Sequence, residues 1–298
     1  MLQLFRRNSK KLQARREWQH VGLVAGYLAG RHFVGTKDLH YGYWDNGLAP
    51  TISNLARAQE DYCDFLLQHI PASGKRILDV GSGAGSVADK LIARGHEVDC
   101  VSPCTFLNGQ ARKLLGDRAC LFDCRYEEFR ASGLYDVVLF CESFQYIEMA
   151  TALENAARQL RSGGKLVICD FFRKEIDGRS PISGGYRLRG FWDTISRFPF
   201  RIIRDLDITS KTAPTFTVIN DAFNEVLRPV WSEAMSTFSR THPVWATCAM
   251  WWFRSRISKF ESKYFGRVRT AEMFEKFKTY RLMVFERSLR EFTSADSQ

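Results

Sequence analysis

The sequence is poor in the features that mark membrane-spanning, secreted and metal-binding chains. The apolar stretch "VGLVAGYLAG" that opens at Val21 has ten residues, far short of the ~20 that cross a bilayer. A long basic region precedes it, and "RHFVG" follows where a processing site would be clean, so the chain reads as one that is not exported. The Arg-rich, acid-poor start leaves a mitochondrial presequence as the alternative. Eight cysteines are present, and Cys100, Cys104, Cys120 and Cys124 form two C-x3-C pairs, but their flanks read as strands and turns and lack the compact loops of a zinc site. Reduced, buried thiols in a cytosolic protein are expected, and no metal site.

Acidic residues are also in deficit, 33 against 43 Lys and Arg, for a net charge of +10. Such an excess suits an anionic partner, either nucleic acid or phospholipid headgroups. Nucleic acid is disfavoured, because the chain has no Asn-Pro-Pro-Tyr-like element for presenting a flipped base and no appended RNA module. The excess is uneven: residues 1–20 hold Arg6, Arg7, Lys10, Lys11, Arg15 and Arg16 against Glu17 alone. Leu2, Leu4, Phe5, Leu12 and Trp18 are interleaved with these bases, a pattern that suits reversible attachment to an anionic membrane. The expected location is cytoplasmic, at or near the inner face of a membrane.

Of the 298 residues, 45% are hydrophobic, enough for one large domain or a domain with an elaborated lid. The first strong strand-turn-helix signal is "KRILDVGSGAGSVADKLIARG", residues 75–95. Arg76 to Val80 form a short apolar run suited to a doubly buried parallel strand, and Val87, Leu91 and Ile92 supply a helical stripe. Between them, Gly81, Gly83 and Gly85 allow a ligand to approach the backbone closely. "HEVDCVSP", "RACLFD", "YDVVLFCE", "GGKLVICDFF", "FRIIRDLDIT" and "TYRLMVFERS" read as six further strands. The expectation is an α/β fold, a Rossmann-like doubly wound seven-stranded sheet with an N-terminal helical segment and a helical cap inserted between the last two strands.

The glycine turn alone fits several nucleotide ligands. A hydride cofactor fits poorly, because Ser86 stands where the third glycine is required and Ser102, not an acid, ends the second strand; Asp99 lies three residues earlier. "LDVGSGAGSVADKL" resembles the first motif of class I S-adenosylmethionine (SAM) methyltransferases. That resemblance implies SAM as cofactor, with Asp79 and the backbone around Gly81 and Gly83 at its methionine end. "CVSPCTFLNGQARKL", with Ser102 and Gln110, is similar to the Thr-Leu-Ser…Gln pattern of the cyclopropane fatty acid synthase and mycolic acid methyltransferase group. "FDCRYEEF", with Asp123 and Arg125, and "YDVVLFCESFQYIE", with Glu142, resemble further elements of that group. Gln145 and Tyr146 stand where the group has Glu and His, so the resemblance does not extend to bicarbonate as the base or to ring closure. It covers roughly residues 36–175 well and the end poorly.

"HYGYWDNGLAP", residues 40–50, resembles an aromatic segment that folds over the cofactor in that group and in tocopherol-type methyltransferases. A sulfonium cation favours aromatic faces, so Tyr41, Tyr43 and Trp44 are expected to form a lid, with an aromatic staple onto the sheet as the alternative. Glu142, Tyr146, His40 and Tyr280 are the candidates for handling the acceptor's proton. About 65 residues separate the last two strands and hold Trp231, Trp245, Trp251 and Trp252, followed by Arg254, Arg256, Lys259 and Lys263. This composition reads as a cap over a lipophilic small-molecule substrate. Aromatics beside Lys and Arg suit a membrane interface or an amphipathic substrate with an acidic head, with a buried cap core and a solvated basic flank as the alternative. The expected domains are a basic amphipathic arm at 1–35, a SAM-binding core at 36–212 plus 264–298, and a cap at 213–263. The alternatives are an RNA or other nucleic-acid methyltransferase and a non-catalytic SAM-binding partner protein.

Overall fold

The computed structural model describes residues 20–288 apart from 46, 132 and 179. The membrane-binding expectation for the N-terminal bases, Leu2 to Trp18, lies outside the described residues. Residues 20–29 are helical (α1) and run into a wider turn at Gly30–Val34.

The remaining elements follow in chain order. They are α2 (Leu55–Leu67), β1 (Arg76–Val80), α3 (Ser86–Ala93), β2 (Glu97–Val101), α4 (Thr105–Leu115), β3 (Ala119–Phe122), β4 (Tyr135–Cys141), α5 (Met149–Gln159) and β5 (Leu160–Arg173). Beyond them come α6 (Leu188–Ile195), β6 (Phe200–Asp207), α7 (Thr209–Thr212), α8 (Pro214–Ala222), α9 (Arg228–Thr241), α10 (Pro243–Tyr264), α11 (Ala271–Phe277) and β7 (Lys278–Arg287).

The seven strands form one sheet in the order β3-β2-β1-β4-β5-β7-β6, parallel from β1 to β5, with β7 antiparallel to both neighbours. This is the doubly wound seven-stranded sheet expected from the sequence.

Period-two alternation splits the central strands between two cores. Ile77, Val137, Leu139, Val167, Cys169 and Leu282 pack on one face against α2, α3 and α4. Leu78, Val138, Phe140, Leu166, Ile168 and Met283 pack on the other against α5 and α6. Both faces are covered, so these strands read as continuous apolar runs. Each fully buried Leu, Ile, Val or Phe side chain contributes roughly 1.5–3 kcal/mol of transfer free energy. Glu148 caps α5 by accepting from the amides of Ala150 and Thr151, and Thr270 caps α11 by accepting from Met273 N.

The strand order reverses between β1 and β4. In open α/β sheets ligands bind beyond the strand C-termini at such a point. Asp79 and Glu142 stand at the ends of these two strands.

The segment 213–263 is helical, but its two parts differ. Phe216 and Val218 of α8 are buried against the core. In the α9–α10 hairpin, Trp245, Trp251 and Trp252 remain about three-quarters exposed. The hairpin packs chiefly on itself, with Trp231 turned toward α10 and Trp245, Trp251 and Trp252 facing outward.

Candidate active site

β1 delivers Asp79 to the crevice, 1% exposed. Burial alone pushes its carboxyl up to about 7, and Oδ2 has no hydrogen-bond partner. Ser82 Oγ in the following turn is likewise buried and unpartnered. A buried carboxylate oxygen without a donor is costly, and a bound cationic or hydrogen-bonding ligand would satisfy it.

The three turn glycines have different causes. Gly83, at φ +57°, would point a Cβ into open space, the property a ligand-facing glycine requires. At Gly81, φ +79°, a Cβ would meet the Ser143 Cβ at 2.4 Å, so this glycine permits the close approach of β1 to the turn after β4. At Gly85, φ +88°, a Cβ would lie 3.1 Å from Ala111 Cβ and Leu115 Cδ1 of α4. Neighbouring side chains thus occupy the Cβ positions at Gly81 and Gly85, whereas Gly83 faces open space.

Ser102 ends β2 and is buried, with Oγ accepting from Cys104 N and its carbonyl accepting from Asn108 Nδ2 at 2.8 Å. The same Asn108 amide donates to Asp123 Oδ1 at 2.6 Å, tying the ends of β2 and β3 together. Arg112 at 2.8 Å, with Asn108, lowers the Asp123 pKa. Arg125 enters through its carbonyl, which accepts from the amides of Glu128 and Phe129. Gln110 accepts from Arg31 Nη1 at 3.1 Å, while Tyr27, Leu23 and Val24 of α1 pack around Ala84, Cys104 and Leu107. Thus α1 lies across the glycine turn, a placement that α1's own sequence did not reveal.

β4 delivers Glu142, a non-glycine residue at φ +55°, in the sparsely populated left-handed region. Its Oε1 accepts from Tyr41 N at 2.7 Å and from Tyr280 Oη at 2.6 Å. Burial raises its pKa above the ordinary carboxylate value, while His40's charge, the Tyr280 hydroxyl and the Tyr41 amide pull it back. Tyr280, fully buried on β7, shares a 2.8 Å hydrogen bond with Tyr62 Oη of α2. The structure therefore joins Tyr41, Glu142 and Tyr280, which are separated by more than a hundred residues of chain.

Tyr146 lies on the same edge in a short 3-10 turn, with its ring 56% exposed. Its neighbour Gln145 donates from N and Nε2 to Asp170 at the end of β5, and burial together with the Glu142 charge pushes Asp170 up to about 8. Neither Asp170 nor Tyr62 was singled out from sequence.

His40 is buried, and its ring is committed within the protein. Nδ1 donates to Tyr41 O at 2.8 Å, Nε2 faces Cys63 Sγ at 3.2 Å and Asp38 Oδ1 at 3.5 Å, and the ring stacks on Tyr62 at 4.4 Å. Burial opposes its charge, but Cys63 and Asp38 outweigh it and raise its pKa well above the ordinary imidazole value. Both ring nitrogens of His40 are thus engaged within the protein, linking Tyr41, Cys63 and Asp38. The Tyr280 hydroxyl likewise lies between Glu142 and Tyr62.

The three lid aromatics separate. Tyr41 joins Phe171, Phe216, Phe274 and Tyr280 in one aromatic cluster and lines a cavity of ≈ 100 Å³ with Phe216, Ile219, Phe223, Tyr264 and Arg269. Trp44 is buried, donates Nε1 to Thr215 Oγ1 at 2.8 Å and packs on Leu55, Ala58 and Val218. Tyr43 stacks on Phe65 at 4.7 Å. Trp44 and Tyr43 thus pack onto α2 and α8, while Tyr41 meets Glu142.

Comparison with known proteins agrees with the fold. Residues 78–168 match the family model described as "Methyltransferase domain". An uncharacterized methyltransferase of Mycobacterium tuberculosis is 32% identical over 103 residues, covering 35% of this chain and 41% of that protein. The chain thus spans about two-fifths of the length of the curated relatives it first matches.

Three solved structures share the fold. The [4+2]-cyclase SpnF has a TM-score of 0.65 at 16% identity over 91% of this chain and 96% of its own. Geranyl diphosphate C-methyltransferase from Streptomyces coelicolor, solved with Mg2+, a substrate analogue and S-adenosyl-L-homocysteine, has 0.63 at 14% over 88% and 92%. The cyclopropane synthase MmaA2 from Mycobacterium tuberculosis has 0.60 at 14% over 85% and 90%.

Proposed function

We propose that this chain, which carries a methyltransferase domain on the class I fold, transfers a methyl group from SAM to a carbon or oxygen of a lipophilic small molecule. The observation that carries the reading is the crevice between β1 and β4. One wall offers the unpartnered Asp79 oxygen and the open Gly83, and the other offers Glu142 beside an aromatic cavity. A buried acceptor oxygen and a glycine facing free space fit the amino-acid end of SAM. Asp79, Ser82 and the Gly81–Gly83 backbone would hold that end, Ser102, Gln110, Asp123 and Arg125 would serve the nucleoside end, and Tyr41 would cover the site.

When bound, SAM supplies the electrophilic methyl group; the protein's share is placement and proton handling. Tyr41 and Phe216 present aromatic faces that exclude water from the cavity. Glu142 Oε1 is committed to Tyr41 and Tyr280, leaving Oε2 to take the proton that the acceptor loses. A carboxylate whose pKa is raised by burial is a stronger base than a free one. Tyr146, exposed at the same edge, would contact the acceptor.

Residues 36–212 with 264–298 would form the cofactor-binding core, and α8 within 213–263 would wall the acceptor cavity. The aromatic lining supports an isoprenoid-, lipid- or polyketide-like acceptor. Calorimetry with SAM, followed by mass spectrometry for a shift of about +14 in a lipid extract incubated with the protein, tests the proposal. Binding without any methylated product would leave a SAM-binding protein of another kind.

A further inference from the structure

The α9–α10 hairpin leaves Val230, Val244, Trp245, Trp251 and Trp252 largely exposed. No residue of α9 is buried, and among the described side chains α10 buries only Ala246. Val244 and Trp245 are 73% exposed, and Trp251 and Trp252 are 76% exposed. A Trp side chain can bury roughly 150–250 Å². Three indoles left in water therefore form a patch of the size that marks an interaction surface. Between the two helices lies an apolar cavity of ≈ 460 Å³, lined by Trp231, Met235, Phe238, Met250, Phe253 and Phe260 among others.

The apolar residues and the bases are ordered along α10. Trp245, Trp252, Arg256 and Lys259 are spaced by 7, 4 and 3 residues and so share one stripe. Val244, Trp245, Trp251 and Trp252 lie toward the hairpin tip, and Arg254, Arg256 and Lys259 lie toward its root, all three exposed. At 1.5 Å per residue, Arg256 and Lys259 stand about 6 and 10 Å rootward of Trp252. Trp245, seven residues nearer the tip, stands about 10 Å beyond Trp252, so the apolar tip and the bases form two successive bands along the helix axis. Residues 228–264 carry six Lys and Arg against Glu233 and Glu261, and Glu233 is already paired with Arg240.

We propose that the hairpin docks this protein on an anionic phospholipid bilayer, with Val244, Trp245, Trp251 and Trp252 among the acyl chains and Arg254, Arg256 and Lys259 on the headgroup phosphates. A second copy of the chain fits the surface less well, because a self-complementary interface would bring these like charges together around the indoles. At the hairpin root, Tyr264 stacks on Phe223 at 5.4 Å, and both rings line the cavity beside Tyr41. Docking would thus place the site's aromatic entrance near the bilayer. That consequence rests on the acceptor proposed above, whereas the docking surface does not.

The test uses the full chain with phosphatidylcholine vesicles, with and without about one-third phosphatidylglycerol, and with brominated lipids as indole quenchers. Binding is expected to favour the anionic vesicles and to weaken with salt, with quenched tryptophan emission. W245S/W251S/W252S should weaken binding at least about tenfold and abolish the quenching. R254E/R256E/K259E should weaken binding to anionic vesicles at least about tenfold. Unchanged SAM affinity by calorimetry would certify the fold of both variants. Vesicle binding by the tryptophan variant equal to that of the original chain would overturn the proposal and assign any binding to the N-terminal bases. A dimer that the tryptophan substitutions dissociate, with no vesicle binding by either form, would overturn it in favour of a second copy. Either failure would leave SAM binding and methyl transfer standing.

Discussion

Glu142→Gln separates chemistry from scaffolding at the site. The amide oxygen can still accept from Tyr41 N and Tyr280 Oη, now at 2.7 and 2.6 Å, so the geometry is retained and only the charge is lost. Each bond changes from charge-assisted, about 1.5–3 kcal/mol, to neutral, about 0.5–1.5 kcal/mol. Folding stability is nevertheless expected to hold or improve. Glu142 has a folded-state pKa above its unfolded value, so its contribution is complete below the unfolded value and is lost as pH rises through the folded one. Near neutral pH the substitution removes a buried ionisation that costs stability. Turnover should behave oppositely. If Oε2 takes the acceptor's proton, kcat at saturating SAM falls about 100-fold or more, roughly 2.7 kcal/mol of transition-state free energy. Calorimetric SAM affinity should stay nearly constant. Steady-state kinetics with parallel thermal denaturation read both quantities. Unchanged kcat with weakened SAM binding would refute the reasoning and make Glu142 a cofactor contact.

Other perturbations give distinct signatures. Gly83→Val should abolish SAM binding while the protein stays folded, as read by calorimetry and circular dichroism, because its Cβ would enter the space assigned to the cofactor. Asp79→Asn should weaken SAM binding yet raise the melting temperature of the ligand-free protein. Burial lifts the folded pKa of Asp79 to about 7, so ionisation there costs stability as pH rises through that value. Tyr280→Phe removes a hydrogen bond that lowers the Glu142 pKa, so the acidic, ascending limb of the kcat profile should move to higher pH. Tyr146→Phe should leave stability unchanged and lower kcat/KM for the acceptor about tenfold if the hydroxyl contacts it; unaltered kinetics would remove Tyr146 from the site.

Most of the fold was legible because β1, β2, β4 and β5 are doubly buried and announce themselves as apolar runs between glycine turns. The site was legible where local sequence carries it: the glycine turn, Glu142 at a strand end, and Tyr41 in a segment too aromatic for a simple loop. Its connections were not legible. The Tyr62–Tyr280–Glu142 chain and the Gln145–Asp170 pair join residues brought together only by sheet order, for which no local periodicity gives a signal. Asn108, which links Ser102 to Asp123, lies on the buried face of α4, where a polar residue passes for a surface one. The exposure of Trp245, Trp251 and Trp252 was not legible for a related reason. Composition shows that they want cover, but not whether the chain itself supplies it.

The most direct measurement is transfer of label from SAM carrying a labelled methyl group into the organic phase of a lipid extract, with S-adenosylhomocysteine counted in parallel. Methyl transfer to a lipophilic acceptor gives protein-dependent label in a lipophilic product, one equivalent of S-adenosylhomocysteine per methyl, and loss of both with Glu142→Gln. SAM bound tightly with no label in any lipid fraction, or label appearing in nucleic acid instead, would contradict it.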